Sequence, residues 1–409
     1  MGGKRGLHRA KMCPTSRSRA FKKSIFCADE SPYTAFFIKH FVYPMSLASQ
    51  PLTPQSAKLG AQYPHKYSVA PMMDWTTSEC RQFHRLLTKK ALLYTEMVTT
   101  GALIHGNTER FLRFSAGQEQ PVALQLGGHD AHDLAHCAQL AQDYGYDEVN
   151  LNAGCPSDRV QNGMIGAILM AHAQLVSDAL KAMSDRVDLP ITIKHRIGID
   201  DFDSYAFLRD FVGTVAQSGC TTFIVHARKA ILKGLSPKQN RDVPPLDYQR
   251  VIQLKRDFPE LHIVINGGIK DHSLAQELLD QGMDGVMVGR EAYQNPLILL
   301  EVDRLFYQSA DSYDTPQALN DELIAWIRLK MDAGTPLKYL ARHMLGLYSG
   351  QAGSRKFRRH LSETMHPVEA TADIFETALS FIKPVDFRVL QDLSAQEREA
   401  SSANILVNS

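Results

Sequence analysis

From Lys66 to about Leu305, eight short apolar runs alternate with amphipathic stretches, and this rhythm constrains the chain more than any other feature. The runs are YSVAPM (67–72), LLYTEMV (92–98), PVALQLG (121–127), DEVNLNA (147–153), PITIKHRI (190–197), TTFIVHA (221–227), HIVINGG (262–268) and DGVMVG (284–289). They are rich in β-branched residues and apolar on both faces, as parallel strands covered by helices are. The stretches between them carry helical periodicity. Those at DLAHCAQLAQDYG and HSLAQELLDQG stop on glycine, and LDYQRVIQLKRDFP stops against proline.

Eight strand–helix units over roughly 240 residues predict an α/β chain folded as a TIM (β/α)8 barrel. A doubly wound open sheet is the main competitor, but no GxGxxG follows the first strand. After Phe306 the strand rhythm ends. SADSYDTPQALN reads as a linker, and DELIAWIRLKMDAG, PLKYLARHMLGLYSG, RKFRRHLSE and ADIFETALSFIK read as helices. The expected organisation is an N-terminal extension (1–64), a catalytic barrel (65–308), a C-terminal all-α helical domain (315–385) and a tail (386–409). The first 44 residues are basic, with no acid before Asp29. They fit a disordered extension, sequence upstream of a start at Met45, or an organelle-targeting leader.

Composition excludes several classes. A formal charge of +1 gives no overall bias toward nucleic acid, so charge distribution has to carry that question. The six cysteines, at 13, 27, 80, 137, 155 and 220, form no CxxC pair. They suggest neither a metal site nor a disulfide framework, and fit a reducing, cytoplasmic setting. No stretch is long and apolar enough to span a bilayer.

In such a barrel the chemistry sits at the C-terminal ends of the strands, and seven of the eight end in polar residues or glycine. Asn266, Gly267 and Gly268 close the seventh strand, and Gly289 with Arg290 the eighth. Together they predict a phosphate site, with backbone N–H groups free to approach and a guanidinium for bidentate contact. Turn glycines and a surface arginine are the bland alternative. Lys194 interrupts an apolar fifth strand, which is costly unless it faces an acceptor or anion. With His226 and Gln125 aimed at the same mouth, the pattern suggests flavin mononucleotide (FMN). In NLNAGCPSDRV, Gly154 is expected to supply the tight turn out of the fourth strand and Pro156 to keep Cys155 from continuing into helix, which presents its thiol over the mouth. A thiol with an ordinary pKa near 8.5 can act as an acid.

APMMDWT, TEMVTTGA, VALQLGG, EVNLNAGCPSDRVQNGMIGA, HARKAILKGLSP, NGGI and DGVMVGREAYQNP closely resemble the tRNA-dihydrouridine synthases. ARHMLGLYSGQAGSRKFRRHLSE resembles their A subfamily. The resemblance runs from Tyr67 to Lys383. It implies an oxidoreductase that binds FMN tightly, takes electrons from NADPH, and reduces uridine in the D-loop of tRNA at positions 20 and 20a. It implies hydride transfer to C6 and protonation of C5 by Cys155. Pro71, Met72, Met73, Gln125, Lys194, His226, Asn266, Gly267, Gly268, Gly289 and Arg290 match its flavin contacts, and Asn152 a uracil contact. A stacked uridine has to be turned out to be reached.

Two acid-free basic stretches are candidates for the tRNA surface. One carries Arg228, Lys229, Lys233, Lys238 and Arg241 after the sixth strand. The other carries Lys338, Arg342, Arg355, Lys356, Arg358 and Arg359. Arg355 and Arg358 are three apart and share a helix face. A solvated charged face is the alternative. No membrane partner is expected, and a monomer is. Two other readings compete: a flavin barrel acting on a free pyrimidine, like the dihydroorotate dehydrogenases, and a tRNA-binding barrel without redox activity.

Overall fold

Parallel strands close on themselves in the order of the chain. β1 (Tyr67–Val69), β2 (Leu92–Thr99), β3 (Val122–Gly127), β4 (Glu148–Ala153), β5 (Ile191–Arg196), β6 (Thr222–His226), β7 (His262–Asn266) and β8 (Gly285–Val288) each pair with the next, and β8 pairs with β1. This computed structural model describes residues 64–157, 163–310, 313 and 315–383. The expectations for the extension before residue 64 and the tail after 383 lie outside the described residues.

Alternation along each strand divides the apolar side chains into two bodies. Ala70, Leu92, Tyr94, Ala123, Ile224, Val264 and Met287 fill the barrel interior. Residues of the opposite parity, such as Val149, Leu151, Ile193, Phe223 and Ile265, pack outward under the helices. Both faces are therefore buried, which is why these runs read as continuous apolar segments. Several helices begin where a side-chain oxygen accepts an otherwise unpaired N–H. Thr77, Asp130, Ser204, Asp247 and Asp271 cap the helices Ser78–Leu87, Ala131–Tyr144, Tyr205–Ala216, Tyr248–Asp257 and His272–Asp280.

Of the boundaries that differ from expectation, three have a local cause. β1 stops at Val69 rather than residue 72, because Pro71 has no N–H to continue the ladder. The expected linker gives way early to helix Pro316–Asp332, since Thr315 accepts from the Ala318 N–H and Pro316 suits the first turn. The helix expected over 336–350 ends at Ala341, and residues 342–350 run as turns. Those turns aim Arg342 and His343 at the barrel. Arg342 Nη2 donates to the Asp74 carbonyl at 2.7 Å, and His343 Nε2 lies 3.2 Å from Thr77 Oγ1. Helix Ser354–Thr364 forms where expected, with Phe357 buried edge-on to Tyr348 and Phe375.

Candidate active site

The C-terminal ends of β4 to β8 bring together much of the predicted set. Cross-strand register places Asn152 beside Lys194, Arg196 beside His226, and His226 beside Asn266. Lys194 Nζ donates to Asn266 Oδ1 at 3.0 Å, and Asn266 Nδ2 donates to the Met287 carbonyl at 2.7 Å. Gly267 has φ +120°, and a Cβ there would stand 2.8 Å from His226 Cδ2. Only glycine fits, and the backbone lies directly against the imidazole.

Cys155 sits half-buried just beyond β4. Its N–H donates to Asn152 Oδ1 at 2.9 Å, and the Gly154 N–H donates to the same oxygen at 3.0 Å. The Cys155 carbonyl accepts from the Ala167 N–H at 2.8 Å. The expectation that Gly154 supplies the turn is corrected here. A Cβ at Gly154 would make ordinary contacts at 3.5 Å, whereas one at Gly166 (φ +83°) would lie 2.4 Å from the Cys155 carbonyl oxygen. Asn152 and Gly166 shape this loop.

The electrostatics of the mouth are one-sided. Burial lowers the Lys194 ammonium from 10.5 to about 7, with Arg196 adding to the shift and Cys155 opposing it. Burial also keeps His226 well below its usual range, reinforced by Arg196, Lys194, Arg228 and Arg241, so the ring is neutral. Partial desolvation of its guanidinium and then Arg290 lower Arg241, although the residue as a whole is exposed, and partial desolvation lowers Arg228, with Arg290 adding and Asp242 opposing. Asp242 is the acid that meets the three arginines, and it pairs with Arg290 at 2.8 Å. Such a surplus of positive charge is suited to an anion.

The other predicted residues divide into groups. Met72 packs against the core and Met73 is exposed, both on the loop after β1 with Pro71. Gln125 lies deeper than expected, fully buried between Asn150 and Asn152. Gly289 leads into Arg290, which already has one prong on Asp242. Arg228 is committed to the Pro244 carbonyl, and Lys229 to Asp203 at 2.7 Å and the Asp200 carbonyl. Lys238 and Arg241 remain exposed on the same loop, and Arg355 and Arg358 are exposed on helix Ser354–Thr364.

Two features were missed in the sequence. Arg196, at the end of β5, is buried and donates Nε to the Gly154 carbonyl at 2.9 Å. The polar IKHR at a strand end was the available signal. A cleft of about 800 Å³ also opens beside Met73 and Asp74, lined by Glu96, Arg110, Arg113 and Lys330 among others. Its walls come from separate parts of the chain, so no local pattern announces it.

Residues 68–383 match a family described as dihydrouridine synthase (Dus). The chain belongs to the dihydrouridine synthase family. As a member, it is similar to proteins named tRNA-dihydrouridine(20/20a) synthase. The one from Yersinia pestis is 57% identical over 326 residues, covering 79% of this chain and 93% of the relative. Those from Escherichia coli K12 and Pasteurella multocida are 56% and 55% identical, covering 80% and 78% of this chain and 94% and 97% of theirs. The mouth of this dihydrouridine synthase barrel fits a phosphate-bearing flavin. The surplus cations and a lysine hydrogen-bonded to a neutral amide suit an anionic, hydrogen-bonding ligand.

Proposed function

We propose that this chain is an FMN-dependent oxidoreductase that reduces uridine to 5,6-dihydrouridine in the D-loop of tRNA, at positions 20 and 20a, with NADPH as electron donor. The observation that carries this reading is the docking of Cys155 and Gly154 on Asn152, directly across from Lys194 in the strand register. A thiol, an amide and a cation on neighbouring strand ends support it. The names of the similar proteins support the choice of substrate.

Pro71 to Met73, Gln125, Lys194, His226, Asn266 to Gly268, Gly289 and Arg290 would hold FMN, which when bound supplies the hydride for C6 of the pyrimidine. The remaining work falls to side chains. Negative charge develops at C5 and O4 of the base as hydride arrives, and Cys155 Sγ–H donates the proton that completes C5. The C5=C6 double bond thereby gains one hydride and one proton. Asn152 orients the base. Lys194 supplies positive charge where negative charge accumulates. Residues 315–383 act as the tRNA-binding domain, with Arg355 and Arg358 on phosphates, while Lys238 and Arg241 hold the backbone near the mouth. A monomer working in the cytoplasm completes this reading.

The test is to incubate purified protein with unmodified tRNA, FMN and NADPH and map dihydrouridine. Formation at positions 20 and 20a is expected, with free uridine turned over far less efficiently. Comparable turnover of the nucleoside would favour an enzyme of free pyrimidines. Protein unable to take up FMN would favour a binding protein without redox activity.

A further inference from the structure

β4 departs from the rule that barrel interiors are packed with aliphatic side chains. Its inward positions are Glu148, Asn150 and Asn152, all buried, and these polar groups reach from the closed end of the barrel to its mouth. They join neighbours on β3 and β5 in a single line of hydrogen bonds. The Cys155 N–H donates to Asn152 Oδ1 at 2.9 Å, and Asn152 Nδ2 donates to Gln125 Oε1 at 2.8 Å. Gln125 Nε2 donates to Asn150 Oδ1 at 2.8 Å, and Asn150 Nδ2 donates to Thr192 Oγ1 at 2.8 Å. Thr192 Oγ1 then donates to Glu148 Oε1 at 2.7 Å. Tyr94 OH, at 2.7 Å from the same oxygen, and His65 Nε2 on the other oxygen hold the carboxylate in place.

The line has a direction, and chemistry fixes it at both ends. A backbone N–H can only donate, and Glu148 Oε1 accepts from both the Tyr94 and the Thr192 hydroxyl. Every amide between them is therefore turned the same way, with its oxygen toward the mouth end and its nitrogen toward Glu148. Reversing one amide sets donor against donor and leaves a buried group unsatisfied.

We infer that Glu148 is a positioning residue for the proton donor: through Thr192, Asn150 and Gln125 it keeps the Asn152 carbonyl oxygen facing the loop on which Cys155 docks. This rests on the functional reading above and deepens it. Two backbone N–H groups occupy that oxygen, so the remaining valence of Asn152 is an N–H. Turned to the 4-position of the base, an N–H pairs with the O4 carbonyl of uracil and opposes the N4 amino group of cytosine, donor to donor. The polarity set at Glu148 thus reaches both the position of the acid and the choice of base.

Thr192 is the link to cut. Thr192→Val severs Glu148 from Asn150 with little change of volume, and Thr192→Ser keeps the hydroxyl. Alkylation of Cys155 in the FMN-loaded protein, followed by peptide mass, reads the docking of the loop without reference to turnover. The Val variant is expected to label several-fold faster than wild type and the Ser variant at the wild-type rate. With tRNA, the Val variant is expected to lose about tenfold in kcat, the equivalent of one unsatisfied buried group. Its tRNA affinity and flavin reduction by NADPH should be retained, and Ser should restore kcat. Equal labelling in all three proteins, or a Ser variant behaving like Val, overturns the inference. Wild-type protein that makes no dihydrouridine would defeat the functional reading instead, and the labelling comparison would still decide this one.

Discussion

Arg196 Nε donates to the Gly154 carbonyl across 2.9 Å, fastening the end of β5 to the residue before Cys155. The same guanidinium donates Nη1 to the Lys229 and Asn240 carbonyls, at 3.1 and 3.0 Å, and so ties the Cys155 loop to the loop after β6. Burial lowers its pKa to about 10, with the neighbouring Cys155 opposing that shift, and it remains charged at neutral pH. Arg196→Met strands three carbonyls. It should lower the unfolding free energy by about 3 kcal/mol and reduce tRNA turnover more than flavin content. Urea unfolding, flavin absorbance and dihydrouridine yield check this together. Undiminished stability would mean the loops are held without the guanidinium.

Cys155→Ala should separate the two halves of the reaction. Asn152 accepts from the backbone N–H of residue 155, not from its side chain, so the loop keeps its docking in the variant. Flavin binding and NADPH oxidation should stay near wild type, while dihydrouridine formation falls by about 100-fold or more, the scale of a lost general acid. Single-turnover reduction of tRNA uridine by the pre-reduced enzyme is the measurement. Wild-type rates would assign the proton to another group.

The barrel was legible because parallel strands buried on both faces leave continuous apolar runs, and all eight strands formed within two or three residues of their expected limits. Lys194, His226 and Cys155 stood out as polar groups at the ends of such runs. The partners of those groups were not legible. That Asn152 rather than Gly154 shapes the Cys155 turn depends on a side chain folding back onto the following backbone. That Lys229 is held by Asp203 depends on a loop 26 residues away in sequence. The break of the helix after Ala341 likewise comes from Arg342 and His343 reaching Asp74 and Thr77, across some 270 residues of chain.

Lys194 makes flavin binding pH-dependent in a defined sense. In flavin-free protein its pKa is lowered from 10.5 to about 7, so at pH 8 the amine is mostly neutral. An anionic ligand favours the ammonium and raises that pKa again. Binding FMN above pH 7 should therefore take up a proton, and affinity should fall as pH rises from about 7 toward 9. Folding of the flavin-free protein follows the opposite slope. Between about 7 and 10.5 the unfolded chain holds the proton that the folded one has shed, so this contribution grows with pH and is lost as pH falls through 7. Calorimetry in buffers of different ionisation enthalpy reads the uptake, and Lys194→Met should abolish both dependences. Proton uptake unchanged in that variant would place the titrating group elsewhere.

Arg355 and Arg358 project from one face of helix Ser354–Thr364, whose other face is anchored by buried Phe357 and Leu361. Both are exposed, and neither has an ion pair with an acid among the described residues, whereas Arg359 lies 3.5 Å from Glu363. Arg358 Nε donates to the Leu345 carbonyl at 3.2 Å, which orients the guanidinium without neutralising it. Two exposed cations one turn apart on this helix, one of them oriented by the Leu345 carbonyl, suit consecutive phosphates of an RNA backbone. Each phosphate contact releases condensed counterions, so its removal weakens binding and flattens the salt dependence together. The double variant Arg355→Ala, Arg358→Ala should bind unmodified tRNA about tenfold or more weakly at moderate salt, and the slope of log affinity against log salt should be shallower by one to two. Flavin content and unfolding free energy should not change, since both side chains are exposed. Titrations of tRNA at several salt concentrations decide the matter: an unchanged slope would move the RNA backbone off this helix, even if affinity fell.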